Sequence, residues 1–310
     1  MSPRRSAQAP AAVVMVRPHH FTPNEATAQD NAFQSQGQEK VTPTLAKQAY
    51  REMTHVAETL ESHGVRVHVF EDKGEETPDS VFPNNWFSTH AGGHVAIYPL
   101  YTPNRRKERR SDIIEMLKRD YRVQDVIDYS GLEPDGLFLE GTGAMVLDHV
   151  ERVAYSARSR RTDPVTLERF CTHFNYEPML FDAMDEHGMP IYHTNVLMCI
   201  GTDFAMVGLE MITNGKRRDE IAERLAQPGR EIVSLTADQI NHFAGNAIEL
   251  QGEKGRILAL SQRAYDSLTP KQIATLANSV MLVPLPVPTI ELAGGSVRCM
   301  LAGIHLQPRS

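Results

Sequence analysis

The chain has 310 residues, of which 41 % are hydrophobic and 23 % are charged, as expected for a globular protein with a full hydrophobic core. Its net charge of -7 argues against nucleic acid as a partner, because binding a phosphate backbone requires a basic surface. The sequence has no apolar run near the roughly 18 residues that span a bilayer, so no membrane-spanning segment is expected.

The N-terminal segment and the cysteines give further information on domain organisation and location. Residues 1–12 lack the apolar core of about 7–15 residues that a signal peptide needs, and they predict a flexible tail. Residues 13–310 are predicted to form a single domain. The cysteines, Cys171, Cys199 and Cys299, are widely spaced and include no CxxC pair, which predicts no disulfide framework and favours a reducing, cytoplasmic location.

One pattern recurs along the chain, in which β-rich segments are followed by a polar helix and a short β segment. The first unit has a β segment at 13–16, a helix at 44–62 and an alternating strand at 65–70. The second to fifth units predict the following elements, with the helix of each unit before its last strand: strands 81–87, 94–100 and 123–129 with helix 105–120; strands 137–147, 152–156 and 179–181 with helix 164–173; strands 196–200, 204–209 and 231–235 with helix 217–225; strands 247–250, 257–261 and 280–287 with helix 269–278.

These units indicate a radial array of five ββαβ repeats, each packing on its neighbours. The segment 294–306 is left over as a glycine turn followed by a strand, and its natural partner is the β segment at 13–16. Such a pairing would close the ring. Strand ends near the central axis would then converge, so that residues distant in sequence share one pocket.

Four segments concentrate acids, amides, imidazole and thiol at predicted strand ends: 79–87, 139–143, 192–195 and 294–306. Cys299, His193 and Glu140 match the nucleophile, the acid or base and the orienting group of thiol catalysis. The two glycines at 294 and 295 allow positive φ and a close approach to the main chain near the thiol.

Each of these residues also has a purely structural interpretation. Cys299 could be a buried small hydrophobe, and His193 a core or surface histidine with its hydrogen bonds satisfied. Glu140 could be a partly buried acid paired with a surface arginine. Asn84 and Asn85 could form a turn after Pro83.

The ordered set of motifs resembles the guanidine-modifying (pentein) superfamily, which includes arginine deiminases, dimethylarginine hydrolases, amidinotransferases and succinylarginine dihydrolases. The resemblance implies a five-bladed α/β propeller. The matching motifs are Asp79-Ser-Val-Phe, Pro103-Asn-Arg-Arg-Lys-Glu108, Glu140-Gly-Thr-Gly143, Tyr155-Ser-Ala-Arg-Ser159, His193-Thr-Asn195 and Gly294-Gly-Ser-Val-Arg-Cys-Met300.

Departures from the superfamily pattern point to a sub-family. Asn84, Asn85 and Asn195 stand where guanidine hydrolases commonly carry acids, and Gly143 stands where Asp is usual. A guanidinium is a cation with donors only and suits carboxylates, whereas a neutral ureido group has a carbonyl acceptor beside its N–H donors. Asparagine offers one acceptor and two donors. The segments at 83–87 and 193–196 therefore look most like those of the citrulline-utilisation hydrolases.

The resemblance implies hydrolysis of the ureido group of citrulline to ornithine, ammonia and carbon dioxide. Cys299 would attack the ureido carbon, His193 would transfer protons and Glu140 would hold His193. The implied substrate contacts are Asn84, Asn85 and Asn195 to the ureido head, Asp79 to the α-amino group, and Arg158 with Arg105 or Arg106 to the α-carboxylate. No metal or organic cofactor is implied. The expected partner is a small amino-acid substrate, and a homo-oligomer is compatible with the sequence.

Three other functions stay open. The same scaffold could hydrolyse a guanidinium, as in arginine deiminase or methylarginine hydrolase. A second alternative is a non-catalytic propeller that binds arginine-like metabolites, although the joint presence of thiol, imidazole and acid argues against it. A third is a metal enzyme using His19 and His20, or His90 and His94. Adjacent histidines on a strand point to opposite faces, and no acid lies at ligand spacing beside either pair.

Because the sequence has no ligand-spaced cluster, activity should survive exhaustive chelation. The measurement compares turnover before and after dialysis against EDTA, with full retention expected. A loss that added zinc or manganese restores would contradict the thiol mechanism.

Overall fold

The computed structural model describes residues 7–35 and 43–309. Within this part of the chain, fifteen strands form five three-stranded sheets. The strands are β1 (Ala12–Pro18), β2 (Arg66–Asp72), β3 (Phe87–His90), β4 (His94–Ile97), β5 (Asp125–Asp128), β6 (Val146–Asp148), β7 (Val153–Ala157), β8 (Glu177–Phe181), β9 (Met198–Ile200), β10 (Phe204–Val207), β11 (Glu231–Ser234), β12 (Ile248–Gly252), β13 (Gly255–Ser261), β14 (Met281–Leu285) and β15 (Ala302–Gly303).

The helices of the described residues fall into long connecting helices and short turns. The α-helices are α1 (Pro43–Ser62), α2 (Ser111–Asp120), α3 (Gly141–Ala144), α4 (Pro164–Phe174), α5 (Thr194–Leu197), α6 (Gly215–Ala226), α7 (Ala237–Asn241), α8 (Gln262–Ser267), α9 (Pro270–Ala277), α10 (Pro288–Glu291) and α11 (Val297–Met300). The 3₁₀ helices are Glu25–Thr27, Pro83–Asn85, Pro103–Glu108, Ser130–Asp135 and Leu209–Met211. None of the helices in the described residues is both long and apolar enough to cross a membrane.

All five sheets share one topology. The first strand pairs antiparallel with the second, the second pairs parallel with the third, and a helix makes the parallel connection. In the second sheet, for example, Phe87 of β3 lies opposite Ile97 of β4, and His94 of β4 lies opposite Asp125 of β5. The predicted ββαβ repeat is therefore confirmed.

The last strand completes the first sheet. β15 pairs antiparallel with β1, with Val13 opposite Gly303 and Val14 opposite Ala302, and β1 pairs parallel with β2. The predicted pairing of the leftover C-terminal segment with the β segment at 13–16 is confirmed.

Local sequence explains where the connecting helices begin and which face they bury. Asp163 caps α4 by accepting hydrogen bonds from the N–H groups of Val165 and Thr166, and Pro164 occupies the first turn, where no N–H is needed. Thr269 forms a reciprocal capping box with Gln272 at the start of α9. Helix α1 places its apolar residues at helical spacing on the face that packs against β1 and β2, and the buried ones include Ala49, Met53, Val56 and Leu60.

Short turns replace the beginnings of several predicted strands. The chain forms Pro83–Asn85 before β3, α3 before β6, α5 before β9 and α11 before β15. The strand predicted at 81–87 overlaps β3 only at residue 87, and the strand predicted at 137–147 overlaps β6 only at residues 146 and 147, so both predictions are wrong over most of their length. The strand predicted at 196–200 begins at residue 198, because His193 and Asn195 lie at the start of the helical turn α5. Pro83 has no N–H for a β ladder, and Gly141 has φ +49°, which favours glycine and interrupts an extended chain.

The segment before β1 is packed where the structure describes it. Gln8 is buried, and its Nε2 donates to the carbonyl oxygens of Leu147 and Ile200, each at 3.0 Å. Its Oε1 accepts from the His149 N–H at 2.8 Å. The predicted tail at 1–12 thus differs from the structure at residues 7–12, because these contacts attach the segment to two sheets. Residues 1–6 of that prediction lie outside the described residues.

Candidate active site

The turns before the first strands contribute polar residues to one small cavity of about 10 Å³ and to its immediate surroundings. Glu140 is the N-cap residue of α3, His193 is the N-cap residue of α5, and Cys299 lies within α11. All three side chains are buried. The cavity is lined by Thr27, Asn31, Asp79, Phe82, Asn85, Arg105, Arg161, Tyr192, His193, Ala293, Gly295 and Cys299.

Glu140 is held as a carboxylate by surrounding donors. Its Oε2 accepts from His193 Nε2 at 2.8 Å and lies 3.5 Å from the nearest nitrogens of both Arg105 and Arg161. Its Oε1 accepts from the N–H of Tyr101 at 3.0 Å. Burial alone would raise the pKa of Glu140, but Arg161, the hydrogen bond from His193 and Arg105 together hold that pKa well below its usual value. Glu140 is therefore ionised.

His193 is a neutral imidazole at neutral pH. Burial is the largest influence and, despite the hydrogen bond to Glu140, lowers the pKa of His193 to about 4. Because an ionised carboxylate only accepts, the ring proton lies on Nε2, which leaves Nδ1 as a free base. His193 is therefore not an imidazolium in the resting state.

Two amides contact the thiol sulfur. Asn195 Nδ2 and Asn246 Nδ2 each lie 3.2 Å from Cys299 Sγ. Asn246 also accepts the N–H of Arg298 on its Oδ1 at 3.1 Å, so it holds the turn as well as the sulfur. Asn246 was not among the residues predicted from sequence. It lies shortly before β12 in the fifth unit, at the position that Asn85 occupies before β3, and this repeat position was the available signal.

Arg105 forms ion pairs with several acids around the cavity. Its Nε and Nη2 donate to the two carboxylate oxygens of Glu108, each at 2.9 Å, and its Nη1 donates to Asn85 Oδ1 at 2.9 Å. Asp79 Oδ2 lies 3.5 Å from Arg105 Nε. Burial raises the pKa of Glu108 to about 7 against the opposing pull of Arg105. Glu108 belongs to a quoted motif but was given no role from sequence.

Two of the predicted arginines lie away from the cavity. Arg158 is half exposed and pairs with Asp182 at 3.2 Å, and Arg106 donates to the Leu100 carbonyl and pairs with Glu133. The roles predicted for Arg158 and Arg106 at the substrate are not supported by these positions. Arg161 lines the cavity instead, because the turn after β7 brings it back beside Glu140, where the Glu140 N–H donates to its carbonyl.

The two adjacent amides are mostly bound within the protein. Asn85 Nδ2 donates to Asn84 Oδ1 at 3.1 Å, and Asn85 Oδ1 accepts from Arg105. Of the polar atoms in these two side chains, Asn84 Nδ2 is a buried donor that has no hydrogen-bond partner in the described residues. The structure explains why position 143 has Gly where the superfamily usually has Asp. A Cβ at this position would lie 2.3 Å from Asn85 Nδ2 and 2.9 Å from the His193 ring. An aspartate at 143 would displace both.

Two acceptors at the site have no hydrogen-bond partner within the described residues. They are Asp79 Oδ1 and Asn195 Oδ1, and both are buried. A buried acceptor of this kind costs free energy unless a ligand or water supplies a donor. The site therefore offers a carboxylate oxygen and an amide oxygen to N–H groups of a ligand. Among residues 7–35 and 43–309, no group of three or more His, Cys, Asp or Glu side chains could hold a metal ion.

Solved structures of the same fold cover nearly the whole chain. The N-terminal domain of ArgZ, an arginine dihydrolase from the ornithine-ammonia cycle in cyanobacteria, was solved bound to substrate and aligns with TM-score 0.73 and 16 % identity over 94 % of this chain and 97 % of that chain. Unliganded AgrE aligns with TM-score 0.74 and 16 % identity over 96 % of this chain and 40 % of its own. A dimethylarginine dimethylaminohydrolase adduct with S-methyl-L-thiocitrulline aligns with TM-score 0.62 and 13 % identity over 98 % of this chain and 100 % of that chain. No curated protein sequence matches the chain.

Five three-stranded α/β sheets and a family model that covers most of the chain define a protein of the pentein superfamily, and the structural matches share its fold. Within it, the chain belongs to the family described as "N,N dimethylarginine dimethylhydrolase, eukaryotic", whose model matches residues 17–306. The resemblance stated from the sequence motifs is confirmed.

The two arginines of the 155–161 segment provide a matched stability test. Arg161→Ala leaves Glu140 and Asp30 without their buried guanidinium and should lower the free energy of unfolding by about 3–5 kcal/mol. Arg158→Ala removes an exposed pair and should lower it by less than about 1 kcal/mol. Urea unfolding of both variants measures the difference, and equal losses would contradict the placement of Arg161 in the buried charge cluster.

Proposed function

We propose that this chain is a cysteine-dependent hydrolase of the guanidinium group of an arginine-like amino acid. The observation that carries the proposal is the unpaired, buried carboxylate oxygen of Asp79 at the cavity. A guanidinium has only donors and a positive charge, so it is the ligand that a free carboxylate favours. Two of the aligned structures, those of an arginine dihydrolase and a dimethylarginine dimethylaminohydrolase, point the same way.

The charge balance of the buried cluster supports a cationic substrate. Three carboxyl groups, those of Asp79, Glu108 and Glu140, face the two guanidinium groups of Arg105 and Arg161. Asp30 adds a fourth carboxylate beside Arg161 at 2.7 Å. With His193 neutral, the cluster has more acids than bases, and a guanidinium would offset that excess. A neutral ureido group would not.

The proposed chemistry uses His193 as the proton carrier. Its Nδ1 takes the proton of the Cys299 thiol, and the sulfur forms a bond to the guanidinium carbon. The departing nitrogen then takes that proton as the C–N bond breaks, and ammonia or an alkylamine leaves. Asn195 and Asn246 stabilise negative charge on the sulfur through their N–H donors.

Water completes the reaction. His193 Nδ1 takes a proton from water, and the resulting hydroxide adds to the thiol-bound carbon. The S–C bond then breaks and the added hydroxyl loses its proton to solvent, where the released ammonia or alkylamine takes up a proton. The sulfur regains the proton held by His193, and a ureido product leaves. The sum is guanidinium plus water giving ureido compound plus ammonium or alkylammonium. Glu140 holds the Nε2–H throughout, so Nδ1 remains the exchanging atom.

We assign the α-carboxylate of the substrate to Arg161 and the α-amino group to Asp30, which lies 2.7 Å from Arg161. Asp79, assigned to the α-amino group from the sequence, is then left to bind the guanidinium. Arg161 lines the cavity, whereas Arg158 and Arg106 do not. The five sheets are proposed to be the blades of a propeller. A second cavity lined by residues of the first strands of all five sheets supports that arrangement.

Hydrolysis of citrulline is the second candidate. Asn84 Nδ2, a buried donor without a partner in the described part of the chain, favours it because a ureido carbonyl could accept from that atom. Asn195 Oδ1 could accept a ureido N–H. Against this candidate, both ends of the Asn85 side chain are already bonded within the protein.

A substrate panel tests the proposal. Purified protein is assayed with arginine, mono- and dimethylarginine, N-succinylarginine and citrulline, and released ammonia or amine and the ureido or amino-acid product are measured. We expect a guanidino substrate to have kcat/KM at least ten-fold above that of citrulline.

Cys299→Ala should reduce turnover by at least about a thousand-fold while binding remains measurable, because only the nucleophile is lost. A preference for citrulline would overturn the proposal, and a tenth of wild-type activity in Cys299→Ala would remove Cys299 from the mechanism.

The adjacent amides distinguish the two candidates further. Asn84→Asp and Asn85→Asp place a carboxylate beside the position of the ureido oxygen, so that two acceptors face each other. A citrulline hydrolase should therefore lose roughly ten- to a few-hundred-fold in kcat/KM for citrulline. For a guanidine hydrolase we expect arginine to stay the preferred ligand in both variants. The measurements are kcat/KM for citrulline and arginine and the Ki of each against the other. Citrulline turnover that is substantial in wild type and falls in both variants would favour the second candidate.

A further inference from the structure

A second cavity, of about 50 Å³, lies on the other side of the turn that carries the thiol. Residues of β3, β6, β9, β12 and β15 line it, whereas the residues that line the cavity with Cys299 all lie outside those strands. Arg298 and Cys299 are neighbours in α11 and line different cavities. The proposed hydrolysis makes no use of this second cavity.

Arg298 has no ion pair in the described residues. Its Nη1 donates to the Leu301 carbonyl at 2.9 Å, and no described group accepts from its Nε or Nη2. These two nitrogens form the edge of a guanidinium that binds a carboxylate or an oxyanion through two parallel hydrogen bonds. In the other arginines that line or approach the buried sites, such as Arg105 and Arg230, the same edge is occupied by protein acceptors.

The remaining lining groups do not neutralise Arg298. The one carboxylate of the lining, Glu249, accepts from Arg256 Nη1 at 3.1 Å and from the N–H and hydroxyl of Thr202 at 2.8 and 2.7 Å. His149 and His305 stack with ring centroids 3.9 Å apart. Burial lowers the pKa of His305 to about 4 and that of His149 well below its usual value, so both are neutral at neutral pH. The cavity therefore carries the unpaired charge of Arg298.

We propose that this cavity binds a small inorganic oxyanion, such as phosphate, sulfate or bicarbonate, on the Nε and Nη2 edge of Arg298. One water occupies roughly 10–15 Å³ of such a volume, so the cavity holds several waters or one small anion in their place. A larger anionic metabolite does not fit. An uncompensated guanidinium in a confined site binds an anion far more strongly than an exposed one does, because the surrounding protein screens the charge less than water.

The site is linked to the thiol through Asn246. The Arg298 N–H donates to Asn246 Oδ1 at 3.1 Å, and Asn246 Nδ2 donates to Cys299 Sγ at 3.2 Å. An anion bound to Arg298 thus stabilises the same turn that holds the sulfur. Binding occurs beside the substrate cavity rather than in it.

The test is a titration of the full chain with sodium phosphate at constant ionic strength, with sodium chloride as the balancing salt. Isothermal titration calorimetry gives the affinity, and the rise in Tm gives an independent measure. The variants are Arg298→Gln and, as a matched control, Arg158→Gln, which removes an exposed arginine. We expect saturable binding in wild type and in the control, and an affinity about ten- to a hundred-fold weaker in Arg298→Gln.

Binding that is absent or non-saturable in wild type overturns the proposal, and that measurement needs no variant. Equal phosphate affinity in Arg298→Gln and wild type also overturns it, since the anion then lies elsewhere. If Arg298→Gln does not fold, Arg298→Lys takes its place. Lys keeps the charge but loses the bidentate edge, and it should bind phosphate more weakly than wild type while retaining some saturable binding.

Discussion

The ionised carboxylate of Glu140 is the interaction on which the rest of the site depends. A buried charge is costly unless it is paired and hydrogen-bonded, and Glu140 receives the imidazole of His193, the N–H of Tyr101 and two nearby guanidinium groups. Each of those partners is thereby fixed in turn. His193 is held in one tautomer. Arg105 and Arg161 are held beside the cavity, close to the other acids with which they form ion pairs.

Dense internal pairing explains why amide residues alone were a poor guide to the substrate. Asparagines in place of acids suggested a neutral ligand when each side chain was considered separately. In the structure, Asn85 serves mainly to satisfy Arg105 and Asn84, while other residues, Asp79 among them, supply the acids that balance a cationic ligand. What matters for a ligand is the set of atoms left unpaired after the protein has satisfied its own groups.

The repeated units and the meeting of Cys299, His193, Glu140, Asp79 and Arg105 could be predicted from the sequence, because hydrophobic periodicity and ordered motifs report directly on strands and strand ends. The directions of the arginine side chains could not. Arg158 and Arg161 belong to the same segment, and only the tight turn between them decides which one is buried beside Glu140. The short helical turns before the strands were missed for a related reason. A few residues such as Gly141 and Thr194 carry too little periodicity to distinguish a turn from the start of a strand.

The closing strand has a consequence for how the position of Cys299 is established. β15 consists of two residues, it follows α11 closely, and its partner β1 lies about 290 positions earlier in the chain. Such a contact has a very high sequence separation, so its formation carries a loop-closure cost. Glu140 and His193 come from the middle of the chain, whereas Cys299 lies in α11, shortly before β15. The geometry between the sulfur and these two side chains therefore depends on a pairing that brings β1 and β15 together.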